Sequence, residues 1–503
     1  MARTRAALKI ALVGSGAAGA GVMAGLGASG AAVNIDVFDK ARPHTGETVP
    51  EGDPRLWQSG AMARVYRRTA RENGFSLPLP KSHYGFVPER LPVDGRPRVW
   101  QSQFRGGLTN FWGGTMMPLP DSDFARWPVS RADLDPYYAQ IAALVGISGE
   151  ADGLTPLLGT EPSNRPPLQL HPAIARLIAA INSGDKGLRA GVNRIALETR
   201  AHAPNACVWC GECLVGCFRG APFTTASLFA RWHAEGRVAR LSDGEVTGID
   251  LKARTLTVRD GEAEDTHGPY DRIFIAAGCL GSTRLLMDSM GLDAAEMADS
   301  RVVNTPIVDT SWRGVTPDRK GGFGLTHGLV LIPEADGSGI AAQTQLYPTL
   351  PHFWRSASPA ALWGLAGLAG RPLAARLVWA RSYLAARGAN RYHLRRGADG
   401  TLSAHMEASD EGRALAAHAN RALARALEGS AFQVLGFAAS GGGSSSHYGA
   451  ARPFRVGDGI VGVDFALAEG VYLADSAAWP DVPAMSPTFT IMANAMRIAQ
   501  TAL

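Results

Sequence analysis

The sequence predicts an α/β protein of two lobes whose first sheet is assembled from both ends of the chain. Three observations carry that expectation. At 503 residues the chain exceeds what a single hydrophobic core usually serves. Lys9 to Val13 reads as a buried parallel strand that runs directly into Gly14-Ser-Gly16-Ala-Ala-Gly19. Near the other end Val471 to Ala474 reads as a short buried strand that stops at Asp475.

The first segment continues into a small-residue helix over Ala20 to Ser29 and a second strand over Val33 to Phe38, which ends at Asp39. Strand, glycine turn, helix, strand and terminal acid in that order form a Rossmann-like dinucleotide unit. Gly14 makes the tight turn, Gly16 admits a pyrophosphate, Gly19 lets helix meet sheet, Asp39 is placed for a ribose hydroxyl, and Ala18 is counted with them among the cofactor-binding residues. The helix N-terminus adds a dipole that favours phosphate. This motif alone does not separate NAD from FAD.

Further segments bear on that choice. Gly106-Gly-Leu-Thr-Asn-Phe-Trp-Gly-Gly-Thr115 is followed by Asp123-Phe-Ala-Arg-Trp-Pro128 and Asp135-Pro-Tyr-Tyr138. At the C-terminal end stand Gly470-Val-Tyr-Leu-Ala-Asp475-Ser-Ala-Ala-Trp-Pro480 and Ser486-Pro-Thr-Phe-Thr-Ile-Met492. In this order they resemble the glucose–methanol–choline (GMC) oxidoreductases over the whole chain. The resemblance implies an α/β fold with a Rossmann-like FAD-binding domain and a discontinuous α+β substrate-binding domain, the GMC and p-hydroxybenzoate hydroxylase-like architecture. The expected FAD domain covers 1–135, 195–300 and 440–503, and the substrate domain covers 136–194 and 301–439. The resemblance further implies flavin contacts at Gly107, Thr109, Asn110, Trp112, Gly113, Gly114, Asp475, Pro487 and Thr488. Pro487 is well placed to open a terminal helix whose N-terminal amides would face the flavin. In relatives with covalent flavin a histidine precedes the tryptophan; here Phe111 stands there, so the FAD is expected to be non-covalent.

Four of the five cysteines, Cys207, Cys210, Cys213 and Cys217, fall within eleven residues in a C-x2-C-x2-C-x3-C run. That spacing lets thiolates converge on one centre and is the run of bacterial ferredoxins. An iron–sulfur cluster, a zinc knot, disulfides and a remnant with free thiols are the readings; no second C-x2-C knuckle accompanies the run, and Phe218 replaces the proline of ferredoxins. Cys207, Cys213 and Cys217 also resemble the cluster segment of iron–sulfur GMC sugar dehydrogenases, which implies a [3Fe–4S] or [4Fe–4S] centre. Cys279 reads as a packed small residue.

The resemblance implies that a histidine takes a substrate hydroxyl proton while hydride passes to flavin N5. Ser446-His447-Tyr-Gly-Ala-Ala-Arg452 resembles the histidine segment, with His447 as base near its ordinary pKa or as a side chain that merely bonds the loop. Ser486 replaces the asparagine or histidine of relatives and is limited to positioning substrate. The implied reaction oxidises an alcohol, of a sugar or glycoconjugate, to a carbonyl, with electrons passing through the cluster to an external acceptor. A cluster-free oxidase making hydrogen peroxide and a non-catalytic flavoprotein carrier are the alternatives.

The net charge of +5 is small for this length and points to no nucleic-acid partner. The N-terminal basic residues precede too short an apolar run for a signal peptide, and no stretch is long enough to span a membrane, so a cytoplasmic location is expected. From Asp336 to Asp399 no acid intervenes, yet eight arginines occur: Arg355, Arg371, Arg376, Arg381, Arg387, Arg391, Arg395 and Arg396. A helical flap with solvated arginines is one reading. A peripheral membrane contact or a phosphorylated substrate is the other.

Overall fold

The structure is a computed structural model, and the residues described are 6–40, 89–93, 96–184, 187–211, 213, 217, 219–311, 322–349, 375–436, 438–439 and 447–503. Leu8–Val13, buried over its last four residues, forms the heart of a six-stranded sheet. Across that sheet the order is Ala466–Ala468, Val471–Leu473, Arg272–Ile275, Leu8–Val13, Val33–Phe38 and Arg240–Ser242, parallel except at the first strand. Val13 stands in register with both Phe38 and Ile275, and Ile275 with Leu473. Three neighbouring strands therefore release Gly14, Ala276 and Ala474 along one edge. The chain moves from Leu8–Val13 outward on one side and is joined by Arg272–Ile275 on the other, which makes this the switch point where open α/β sheets bind ligands.

The first helix is Ala17–Ala28 rather than Ala20 to Ser29, because Ala17, Ala18 and Gly19 of the turn already form its first turn. Its small residues serve packing. A Cβ on Gly21 would overlap the carbonyl oxygen of Met492, and one on Gly25 that of Met496. The helix thus lies backbone to backbone against the terminal helix Thr488–Thr501, which begins after Pro487 as expected.

A seven-stranded antiparallel sheet forms the second layer. Its order is Phe432–Val434, Val302–Asp309, Leu377–Leu384, Ile340–Pro348, Gly328–Pro333 and Arg189–Val192, with Ala438–Ala439 also on Val302–Asp309. One face is apolar: Ile307, Val330, Ile332, Ala342, Leu346, Val378 and Ala380 pack with Ile174 and Leu177 of helix Pro172–Asn182 and with Leu415 and Leu423 of helix Asp410–Ala426. The opposite face is polar and belongs to the site. A third sheet holds Tyr448–Arg452 beside Ala294–Asp299, and the expected small meander is present with three strands, Glu245–Asp250, Thr255–Asp260 and Ala263–His267.

The basic stretch does not form the expected helix where it is described. Arg355 and Arg371 lie outside the described residues, as does the glycine–serine segment 441–446. Arg381 is on the strand Leu377–Leu384, and Arg391, Arg395 and Arg396 are on the strand Asn390–Arg396. The stretch lacks acids of its own because other segments supply them: Arg387 pairs with Glu334 at 2.5 Å, Arg391 with Glu296 at 2.8 Å, and Arg396 with Asp288. Among the described residues no helix is long and apolar enough to cross a membrane.

The backbone contact between the first and terminal helices gives a direct prediction. Gly21→Val should force the two helices apart, and overpacking of this kind typically costs about 1–3 kcal/mol. The thermal midpoint should fall by several degrees; a midpoint equal to that of the unaltered protein would show that the close approach is not needed.

Candidate active site

Gly14 has φ +104° and no room for a Cβ beside the Ala276 carbonyl, so the turn brings two strand ends together. A Cβ on Gly19 would overlap the Gly14 carbonyl oxygen, whereas Gly16 faces open space at the helix N-terminus, which carries no side-chain cap. Ala18 is buried in the first helical turn. The one polar side chain of the turn, Ser15, organises its surroundings. Its backbone N–H donates to Asp39 Oδ2 at 2.9 Å, and its hydroxyl donates to the same oxygen. The Gly106 N–H donates to Ser15 Oγ at 2.8 Å, and Thr225 Oγ1 donates to the Ser15 carbonyl at 2.8 Å. Burial raises the Asp39 carboxyl to about 6 against the hydrogen bonds from Ser15. Asp39 therefore commits one oxygen to the turn itself, a link that spacing alone does not reveal.

The Gly106–Gly114 segment wraps this turn, with Gly107 placed so that a Cβ would stand 3.5 Å from Gly16 Cα. Thr109 Oγ1 donates to the Gly106 carbonyl at 2.6 Å, Asn110 to that of Arg105 at 2.9 Å, and Trp112 Nε1 to that of Phe223 at 2.9 Å. These side chains brace the loop. Gly113 faces open space, and Gly114 sits at φ +77°.

Asp475 lies at the end of Val471–Leu473, where its carboxylate accepts the Ala477 N–H at 2.9 Å and the Ser282 hydroxyl. Burial raises it to about 6. The next residue, Ser476, donates its hydroxyl to the Tyr448 carbonyl at 2.6 Å, which seats His447 beside the sheet edge that carries the glycine turn. The backbone carbonyl of His447 accepts the Ser300 N–H at 3.2 Å, and its ring stacks on Tyr383, with centroids 4.3 Å apart and planes 15° off parallel.

His447 thereby meets the polar face of the second sheet. In register there, Gln343 stands opposite Tyr383, Gln345 opposite Arg381, and Tyr347 opposite Trp379. Ser486, just ahead of Pro487 and Thr488 at the mouth of the terminal helix, donates its backbone N–H to Gln343 Oε1 at 2.7 Å and accepts Gln345 Nε2 at 3.3 Å. Tyr347 donates to Gln345 Oε1 at 2.6 Å, and Arg381 Nε donates to the Tyr383 hydroxyl at 3.1 Å. The Ser486 hydroxyl is thus engaged with two glutamines rather than standing alone. The imidazole of His447 is not near its ordinary pKa: burial, reinforced by the Arg381 guanidinium, lowers it to about 3. The ring is therefore neutral at neutral pH, and it takes up a proton only against the burial and the facing guanidinium.

The four cysteines line one hollow, walled also by Leu197, Val208, Ala221 and Pro222, with Arg219 among its lining residues. Burial pushes the Cys207 thiol up to about 11 and the Cys213 thiol well above its ordinary value, so thiolates form there only with a compensating positive centre. Among the described residues no three His, Cys, Asp or Glu side chains are arranged as a site for a metal ion. Cys279 is apart from them, buried in the first turn of helix Cys279–Met290.

Sequence reasoning did not single out Ser15, Gln343, Gln345, Arg381 or Tyr383 as site residues. A signal was present for the glutamines: polar side chains at every second position of Ala342-Gln-Thr-Gln-Leu-Tyr347 mark a strand with one polar face, although Thr344 also interrupts the apolar side.

No protein-family model matches the chain, and no curated relative does. Solved structures do. Pyridoxine 4-oxidase from Mesorbium loti is similar with a TM-score of 0.59 at 14% identity, over 98% of this chain and 99% of that one. A fungal aryl-alcohol oxidase gives 0.63 at 12% identity, over 99% of both chains. Formate oxidase of Aspergillus oryzae gives 0.60 at 12%, over 98% of both. The fold is that of the GMC oxidoreductases. It comprises a Rossmann-like parallel sheet joined to a layer built on an antiparallel sheet.

The neutral state of His447 is measurable. Its ring NMR signal, assigned by its loss in His447→Gln, should keep the neutral shift from pH 8 down to pH 5. The unfolded chain takes this proton near the ordinary value of about 6.5, so the histidine weakens the fold progressively as pH falls from there toward the folded value. A midpoint near 6.5 in the native protein would contradict the buried, arginine-facing environment.

Proposed function

We propose that the protein is an FAD-dependent GMC-type dehydrogenase that oxidises an alcohol to a carbonyl. The observation that carries this reading is the seating of His447: the Ser476 hydroxyl, next to Asp475 at the end of the parallel sheet, donates to the carbonyl of the adjacent Tyr448, and the His447 ring stacks on Tyr383 of the second sheet's polar face. The residues at the sheet edge fit a flavin dinucleotide. Gly16 and Gly113 leave open space for it, the uncapped N-terminus of Ala17–Ala28 suits its pyrophosphate, and Asp39 and Asp475 stand at the ends of flanking strands. Bound there, FAD supplies the acceptor for the carbinol hydride.

The chain's own groups handle the proton and the orientation. A ring nitrogen of His447 takes the hydroxyl proton, and the stacked Tyr383 fixes the plane of the imidazole. The Ser486 hydroxyl, held by Gln343 and Gln345, positions the oxygen. Phe111 offers no nucleophile for a covalent link, so the flavin is held by contacts alone.

The cysteine hollow fits an iron–sulfur cluster by the chemistry of its donors: four thiols face one apolar space, and a multi-iron centre takes thiolates farther apart than a single ion does. In this reading the electrons leave through the cluster to an external acceptor, and a sugar hydroxyl is the substrate expected from the sequence resemblance. The oxidase alternative draws support from the similarity to pyridoxine 4-oxidase and to a fungal aryl-alcohol oxidase.

Two measurements separate these readings. Protein purified without oxygen should carry three or four irons per chain with sulfide, and Cys213→Ser should lose them while keeping flavin that acid denaturation releases. Less than about one iron per chain, with peroxide formed in air, would give the oxidase reading instead. His447→Ala should slow anaerobic flavin reduction by about 10²–10⁴-fold with flavin content unchanged, whereas Ser486→Ala should cost roughly 0.5–1.5 kcal/mol, the worth of one hydrogen bond. A His447→Ala rate within a few-fold of the unaltered protein would place the base elsewhere.

A further inference from the structure

The sheet wall beneath His447 is rich in donors and poor in negative charge. Arg381 donates Nε to the Tyr383 hydroxyl at 3.1 Å, and its guanidinium carbon lies 5.5 Å from that ring's centroid. Among the described residues its two terminal nitrogens make no hydrogen bond and no ion pair. Its neighbours in the same stretch are different: Arg387, Arg391 and Arg396 each meet a carboxylate. The field of Asp299 reaches Arg381, but Asp299 accepts the Tyr392 hydroxyl at 3.3 Å and forms no ion pair with the guanidinium. With no carboxylate in ion-pair contact among the described residues, the terminal nitrogens of this guanidinium are open to a ligand that brings the opposite charge.

A second donor waits beside it. Gln343 is 0% exposed, and its Oε1 is taken up by Ser486. That fixes the amide orientation, and Gln343 Nε2 is left as a buried donor with no hydrogen-bond partner among the described residues. Register places Arg381 one strand over and two residues along from Gln343, because Gln343 pairs with Tyr383 and Gln345 with Arg381. Both side chains lie on the face that receives the His447 ring, which stacks on Tyr383, the residue opposite Gln343. The terminal nitrogens of an arginine form a fork that matches the two oxygens of a carboxylate or phosphate.

We propose that the substrate is an alcohol bearing an oxyanion, a carboxylate or a phosphate, gripped by the terminal nitrogens of Arg381 and by Gln343 Nε2 so that its carbinol faces His447. This inference rests on the reading of the His447 site as an alcohol-oxidising centre and names the class of alcohol it takes. Arg381 is a specificity residue in this account. It neutralises the anion and leaves the base uncharged, whereas a carboxylate in its place would draw a proton onto His447.

The test separates anion binding from turnover. Acetate and inorganic phosphate, added to the protein as purified, should raise its thermal midpoint at constant ionic strength, each with its own apparent affinity. The tighter of the two identifies the anion. Arg381→Met should weaken that binding about ten- to hundredfold, the range for a hydrogen bond to a charged group. Arg381→Lys, which keeps the charge but loses the fork and guards against a folding defect, should fall between. In parallel, anaerobic flavin bleaching should be faster with lactate than with methyl lactate, or with glycerol 3-phosphate than with glycerol, and Arg381→Met should erase the difference.

No midpoint shift with either anion, or a shift that survives Arg381→Met, overturns the proposal. Anion binding through Arg381 with no bleaching by any alcohol would instead sink the alcohol-oxidation reading and leave the anion site standing.

Discussion

The site depends on how closely one glycine turn approaches its neighbours. Gly14 touches the backbone leaving the next strand at Ala276, Gly19 touches Gly14, and Gly107 comes down on Gly16. Any side chain at the first two positions would push apart the strand ends that carry the binding edge. With the backbones this close, a single serine reaches three segments distant in sequence: Asp39 at the second strand, Gly106 in the covering loop and Thr225 at the start of a helix. The turn is therefore a structural hub as well as the proposed seat of a cofactor phosphate.

The second constraint is the division of the antiparallel sheet into two unlike faces. Alternation along Ile340–Pro348 sends Ala342 and Leu346 to the helices and Gln343, Gln345 and Tyr347 to the site. A slip of one residue would exchange the faces and bury the glutamines against leucines. The apolar side thus fixes the register that aligns Arg381, Tyr383 and the two glutamines beneath His447. Stability on one face and chemistry on the other are set by the same pairing.

These two features were unequally legible in the sequence. The parallel sheet could be read because glycine spacing, a terminal acid and short apolar runs are local signals, and Leu8–Val13, Val33–Phe38 and Val471–Leu473 fall where those signals put them. The start of the first helix was placed three residues late, since alanines inside a glycine motif carry no local mark of a helix start. The polar wall was harder. Arg381 stands in a stretch of eight arginines that composition cannot rank, and it differs from Arg387, Arg391 and Arg396 only through carboxylates contributed by distant segments. The lowered pKa of His447 was hidden for the same reason, because the enclosure and the facing guanidinium exist only after the sheets meet.

In the proposed reaction a neutral histidine and a flavin at the switch-point edge together take a proton and a hydride from one alcohol. Anaerobic bleaching of the flavin by an alcohol deuterated at its carbinol carbon tests this most directly. Deuteration should slow bleaching several-fold in the unaltered protein, with the flavin reduced fully and one carbonyl product formed per flavin. A protein that releases no flavin on denaturation, or whose flavin is bleached equally fast by the light and deuterated alcohols and without carbonyl product, would contradict it.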